Sequence, residues 1–131
     1  MPTSFVVDVE RERILVQLAG EVSGPEILRM QAELVAHPDY SPDFDVVMDN
    51  RAVTRFVDVP SQVLWELAKR SPASARCRSI LVTRTGSALY YGLSRMYQTH
   101  RELSGSPSPI TICESLEEAE ALLASSDRRG A

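Results

Sequence analysis

The chain has 131 residues, 44% of them hydrophobic and 24% charged, with a formal net charge of −4 and a pI near 5.2. That length suits one domain spanning residues 1–131, and a domain of this size buries roughly two-thirds of its unfolded surface without a metal or disulfide staple. The acidic balance excludes a general pull toward nucleic acid or anionic membrane: only Lys69 among the 14 basic residues is a lysine, and no basic run exceeds two.

The opening MPTSFVVDVERER has no basic stretch leading into a long apolar one, so no signal peptide is expected. No run approaches the roughly 18 apolar residues of a membrane-spanning helix. SFVVDV (4–9) and RILVQLAG (13–20) flank a charged turn and predict an antiparallel hairpin. Ser23 and Glu26 then have capping-box spacing, with Pro25 in the first helical turn, where its missing N–H costs nothing. The helix presents Ile27, Leu28, Leu34 and Val35, and Pro38 stops it near His37.

FDVVMD (44–49) predicts a short strand, followed by a polar loop over Asn50–Ser61. Asp58 is expected to cap the next helix, with Pro60 in its first turn and Leu64, Leu67 and Ala68 facing inward. SILVT (79–83) reads as a buried strand. Ser87 is expected to open a third helix, on which Leu89, Leu93, Met96, Tyr97 and His100 recur at helical spacing. SGSPSP (104–109) reads as a loop and ITIC (110–113) as a strand. Ser115 and Glu118 repeat the capping box before a helix carrying Leu116, Ala119, Leu122 and Leu123, and SSDRRGA is expected to fray. The order β-β-α-β-α-β-α-β-α predicts an α/β fold with a mixed sheet of about five strands and a core over about 4–124.

Tests for chemistry turn up little. His37 and His100 have no metal spacing, nor do Cys77 and Cys113, so no metal or cofactor is expected and both thiols read as reduced and buried. There is no G-x-S-x-G elbow; Gly92-Leu-Ser94 lacks the second glycine and sits in a helix. Gly86 to Gly92 follows a strand and opens a helix but lacks the clustered glycines of a phosphate cradle, leaving simple capping by Ser87 as the plainer reading of Thr85–Ser87, with Arg84 beside it. Asp49 and Asp58 flank the polar loop without any sign of paired acid–base work. Tyr90, Tyr91 and Tyr97, with Leu89, Leu93 and Met96, make the third helix apolar around much of its circumference. That pattern serves core packing, a subunit interface or the wall of an apolar pocket.

Three stretches carry a family resemblance. VVMDNRAVTRFVDVPSQVLWEL, YYGLSRMYQ and ESLEEAEALL, in this element order, resemble the STAS domains (sulfate transporter and anti-sigma-factor antagonist), in particular their SpoIIAA-like branch. The resemblance implies a bacterial, cytoplasmic, non-enzymatic regulatory module that binds another protein. In the anti-sigma-factor antagonists a D-S-S-G-type segment at the second helix's start presents a phosphorylated serine. Here the segment is Asp58-Val59-Pro60-Ser61, so Val59 and Pro60 stand where serines would be and the phosphoserine pattern is broken. Ser61 is the remaining candidate phosphoacceptor. The branch also resembles CRAL-TRIO lipid-binding domains.

Two functional expectations follow. One is a protein-contact surface over Arg55, Val57, Asp58, Pro60 and Ser61, in a monomer or homodimer, with no nucleic-acid partner and no stable membrane insertion. The other is a carrier or sensor for a small apolar or lipid-like ligand, walled by Trp65, Tyr90, Leu93 and Tyr97; a hydrolase using Cys113 or Asp49 ranks well below both.

Overall fold

Alternating apolar residues drive the first two strands together. In the computed structural model, which describes residues 3–84, 88–105, 108 and 110–124 apart from the side chains of 88–91 and 93, β1 (Thr3–Asp8) pairs antiparallel with β2 (Arg13–Ser23). Ile14, Val16 and Leu18 of β2 point to one face and are fully buried. At ~1.5–3 kcal/mol for each buried aliphatic side chain, they anchor the core.

The chain continues through α1 (Gly24–Ala36), β3 (Asp45–Val57), α2 (Ser61–Arg70), β4 (Ser79–Val82), α3 (Ala88–Leu103), β5 (Ile110–Cys113) and α4 (Leu116–Ala124). The strands lie in chain order, β1-β2-β3-β4-β5, with every pair after the first parallel. A sheet that always advances in one direction through crossovers of one hand places α1, α2 and α3 on the same face. Ile27 and Met30 of α1, Leu64 and Leu67 of α2 and Tyr97 of α3 accordingly share one apolar cluster with the inward face of β2. α4 covers the other face, where Ala119 and Leu123 meet Val47, Ile80 and Val82.

The α/β class, the mixed five-stranded sheet and the element order agree with expectation. The α1 capping box is formed: Glu26 N–H donates to Ser23 Oγ at 3.2 Å and Ser23 N–H to Glu26 Oε1 at 3.0 Å. Ser115 Oγ accepts from Glu118 N–H at 3.1 Å ahead of α4.

The principal correction concerns residues 50–57. They form strand, not loop, because β2 also runs on to Ser23 and the two strands stay paired to Ser23↔Val57, well past the end of β4. Two register shifts each put an extra residue on β3, and such bulges break the two-residue alternation by which a strand is recognised. Arg84 takes up part of the missing neighbour's role by donating to the carbonyls of Arg51 and Val53.

Asp58 does not cap α2. It adopts a left-handed backbone, φ 52°, and Pro60 holds the N-cap position without a side-chain hydrogen bond. Three apolar residues expected inside are instead partly solvated: Val35 is 41%, Met96 40% and Leu122 40% exposed. Among the described side chains of α3, Ser94, Tyr97 and Arg101 face inward. The expected helix start at Ser87, the Thr85–Ser87 site, positions 106, 107 and 109 of the Pro/Ser loop, the tail from 125, and the side chains of Leu89, Tyr90, Tyr91 and Leu93 lie outside the described residues.

Candidate functional site

Between the sheet and its three-helix face the packing leaves a cavity of about 130 Å³. Its floor is Val16 and Leu18 of β2, Val46 and Met48 of β3, and Ile80 and Leu81 of β4. Ile27, Met30 and Leu34 of α1 and Leu64 and Leu67 of α2 form most of the roof, and Ser94, Tyr97 and Arg101 close it from α3. Val35 and Pro72 line it too and both reach solvent, so the cavity meets the surface between the end of α1 and the segment after α2. Native interiors rarely leave voids larger than a water molecule. One this size, apolar through its middle, matches the dry cavity of ~150 Å³ that accepts benzene in an engineered protein.

The two ends of the cavity differ. Register sets Val46 beside Ser79 and Ser79 beside Ile110, which fixes the end nearest the start of the parallel strands. Arg101, only 4% exposed, lies at that end and donates from Nη2 to the Ser108 carbonyl at 3.1 Å. Its guanidinium carbon sits 5.9 Å from the Tyr97 ring centre, within cation–π range. Ser108 Oγ donates to the Cys77 carbonyl at 2.8 Å and lies 3.4 Å from Ser79 Oγ. Tyr40 joins this end. Burial, with Cys77 adding to it, pushes its phenol up to about 12, while the Arg101 guanidinium pulls the other way. The phenol is therefore a neutral donor at any physiological pH. At the far end, four residues along β3 from Val46 or about 13 Å of strand, stands Asn50. Its Oδ1 is buried and has no hydrogen-bond partner among the described residues.

Other expected chemistry is spoken for. Burial pushes the Asp49 carboxyl up, but bidentate bonds from Arg51 (2.9 and 3.0 Å), together with the Arg51 N–H, outweigh it and hold the group below the usual carboxylate range. An ionised, clamped carboxylate is a poor proton donor, and Asp58 lies beyond the far end of β3, on the order of 25 Å of strand away. Cys77 and Cys113 are free and buried. Burial pushes the Cys113 thiol up, away from the reactive thiolate. Among the described residues no cluster of three His, Cys, Asp or Glu is placed to hold a metal ion, and no helix is long and apolar enough to cross a membrane.

Of the expected pocket residues, Tyr97 lines the cavity. Trp65 does not; it packs edge-on against His100 at the α2–α3 contact, centroids 5.6 Å apart. Arg55, Asp58, Pro60 and Ser61 are exposed and Val57 half-buried, at the end of the β2–β3 ribbon and the turn beyond it. Ser61 Oγ lies 2.9 Å from His100 Nε2, while His100 Nδ1 is buried without a partner among the described residues. A serine–histidine pair without a third group on the far nitrogen lacks the element that orients a catalytic triad. The residues missed from sequence are Arg101, Tyr40 and Asn50. Their only signal is a polar side chain at an otherwise apolar helical or strand position.

No protein-family model matches the chain, and neither does any curated protein. The chain is similar in structure to an uncharacterized protein of the DUF3478 family from Shewanella loihica PV-4, described as having a SpoIIAA-like fold. The TM-score is 0.61 at 10% identity, covering 92% of this chain and 93% of the other. That likeness establishes a SpoIIAA-like fold and extends no further than the fold.

Proposed function

We propose that this chain is a SpoIIAA-like binding module whose cavity takes a small, largely apolar ligand, as a carrier or sensor. The observation that carries this reading is the cavity itself: an apolar space with a route to the surface and polar groups at each end. Leaving such a space empty costs packing energy, and binding sites elsewhere have this composition of apolar walls and few convergent polar groups. The reading relies on no nucleophile and no metal. The test is native mass spectrometry of freshly purified protein against its denatured mass. The expected result is a non-covalent adduct on the order of 100 Da, the size such a cavity admits, lost on denaturation. Val46→Phe, which grows into the cavity, is expected to fold and to lose the adduct. A clean native mass that stays clean after incubation with small apolar compounds would overturn the reading.

A protein-contact role for Arg55, Val57, Asp58, Pro60 and Ser61 is the second reading. It is favoured by the way the ribbon carries these residues past the end of β4 and exposes Ser61 at a helix start that has no side-chain cap. A phosphate on Ser61 would be placed beside that helix start, where negative charge is favoured. Val57→Asp is expected to abolish capture of any specific partner that wild type retains, while Val6→Asp on the β1 edge leaves it. Identical partner sets for all three proteins would remove this surface from consideration.

A further inference from the structure

The way into the cavity runs beside a short irregular segment that Ser74 ties down. We infer that residues 71–74 are a strap over the mouth of the cavity, fastened by Ser74 to residues 42–43, and that a ligand enters and leaves when this clasp opens. The inference rests on the ligand-binding reading above and adds how the site is reached. Among the described residues that line the cavity, only Val35 and Pro72 are largely exposed, which locates the mouth. Ser71, Pro72 and Ala73 line it from the connection between α2 and β4. Ser74, the next residue, crosses to the connection between α1 and β3: its N–H donates to the Pro42 carbonyl at 2.9 Å and its Oγ to the Asp43 carboxylate.

The surroundings of the strap are braced. Gln31 Nε2 donates to the Leu67 carbonyl at 2.8 Å and pins the last turn of α2 to α1. In the facing connection Tyr40 N–H donates to the His37 carbonyl at 3.0 Å and Phe44 N–H to the Ser41 carbonyl at 3.2 Å. Beyond the strap Cys77 is buried, and its N–H donates to the Ser74 carbonyl at 3.1 Å. The backbone of Pro72 and Ala73, by contrast, makes no hydrogen bond among the described residues, and proline has no N–H to offer. Segments with so few backbone bonds open locally at low cost. Once Ser74 lets go, the strap can therefore swing between Ser71 and Cys77. Ser74, Pro42 and Asp43 are not among the lining residues, so releasing the clasp lowers the barrier to entry and exit alike and leaves the contacts of a bound molecule in place.

The test is NMR of the intact chain, its native mass free of any adduct, under cyclopropane. This small hydrocarbon suits a cavity of about 130 Å³, since benzene, twice its carbon count, needs about 150 Å³. Shifts of the Leu64 and Leu67 methyl signals against gas pressure give the affinity, and relaxation dispersion gives the exit rate. Ser74→Ala loses a hydrogen bond to a carboxylate and is expected to speed exit about tenfold, with affinity within about twofold of wild type. Asp43→Asn keeps a weaker acceptor and is expected to speed exit about threefold; it stands in for Ser74→Ala if circular dichroism shows that the latter does not fold. Ser115→Ala controls for lost stability. It removes a cap of α4, on the other face of the sheet, and is expected to leave exit within about twofold of wild type. Unchanged exit in the folded clasp variants, equal acceleration in Ser115→Ala, or a change in affinity without one in exit rate would overturn the clasp and leave the cavity reading standing. Failure of cyclopropane to bind wild type would overturn both.

Discussion

Gly24→Ala is expected to destabilise the fold by about 2–3 kcal/mol, the upper part of the range for forcing extra volume into a packed site. Gly24 is the first residue of α1, and it is buried. A Cβ there would lie 2.2 Å from the Asp58 carbonyl oxygen and 3.2 Å from both Val63 methyl groups. The first obstacle is backbone, which cannot swing aside as a side-chain tip can. Moving it would disturb the left-handed turn at Asp58 that leads into α2. Alanine narrows the unfolded ensemble and so returns roughly 0.4–1 kcal/mol, too little to reverse the sign. The control is the same substitution in open space. Gly92 lies exposed within α3, and a Cβ there meets nothing within 4 Å, so Gly92→Ala is expected to stabilise by roughly 0.5–1 kcal/mol. Urea unfolding of the two variants beside wild type reads both signs. A Gly24→Ala midpoint at or above that of wild type would mean that the starts of α1 and α2 do not touch as described.

This contact between two helix starts was invisible in the sequence, and the reason is general to what was missed. Periodicity reports which residues of one element are apolar, so the hairpin, the Ser23 and Ser115 caps and the buried strand at 79–82 could all be read directly. It does not report where one element ends when another holds it in place. Residues 50–57 look like a loop because bulges scramble their alternation, yet pairing with β2 keeps them extended. The same limit hid the candidate site. The apolar positions of α3 suggested a wall of Leu93, Tyr97 and their neighbours, but its inward residues include Ser94 and Arg101, which a search for apolar stripes discards. Asn50 was visible only as one more polar loop residue. Its significance comes from an oxygen buried at the end of a cavity, which depends on tertiary packing. The four-residue motif Asp58–Ser61 was legible as a departure from the serine pattern. Its conformation, left-handed at Asp58 and without a side-chain cap at Pro60, was not.

Asp45→Ala is expected to cost about 3 kcal/mol, with a fall in Tm on the order of 10 °C. Asp45 is 3% exposed at the first residue of β3. Its carboxylate accepts from the Arg78 backbone N–H at 3.0 Å, from Nε at 3.3 Å and from Nη2 at 3.0 Å, tying the start of β3 to the residue before β4. The net worth of a buried ion pair is small, since desolvation offsets most of the attraction; the large effect comes from removing one partner and leaving the other charge behind. The Arg78 side chain is 25% exposed and regains some water, which places the cost near the lower end of the usual range. Asp45→Asn keeps an acceptor for the Arg78 N–H and is expected to lose about half as much. A double-mutant cycle with Arg78→Met separates this account from simple cavity formation. With the guanidinium gone, Asp45→Ala is expected to cost at least about 1 kcal/mol less than in wild type, whereas an undiminished cost would place the loss in packing and not in the ion pair. The consequence reaches the cavity, because Val46 and Ser79, the next residues after Asp45 and Arg78, line its polar end. Loosening the pair is therefore expected to weaken the binding of small apolar compounds in the cavity before it unfolds the chain, which links the stability of this strand junction to the site it supports.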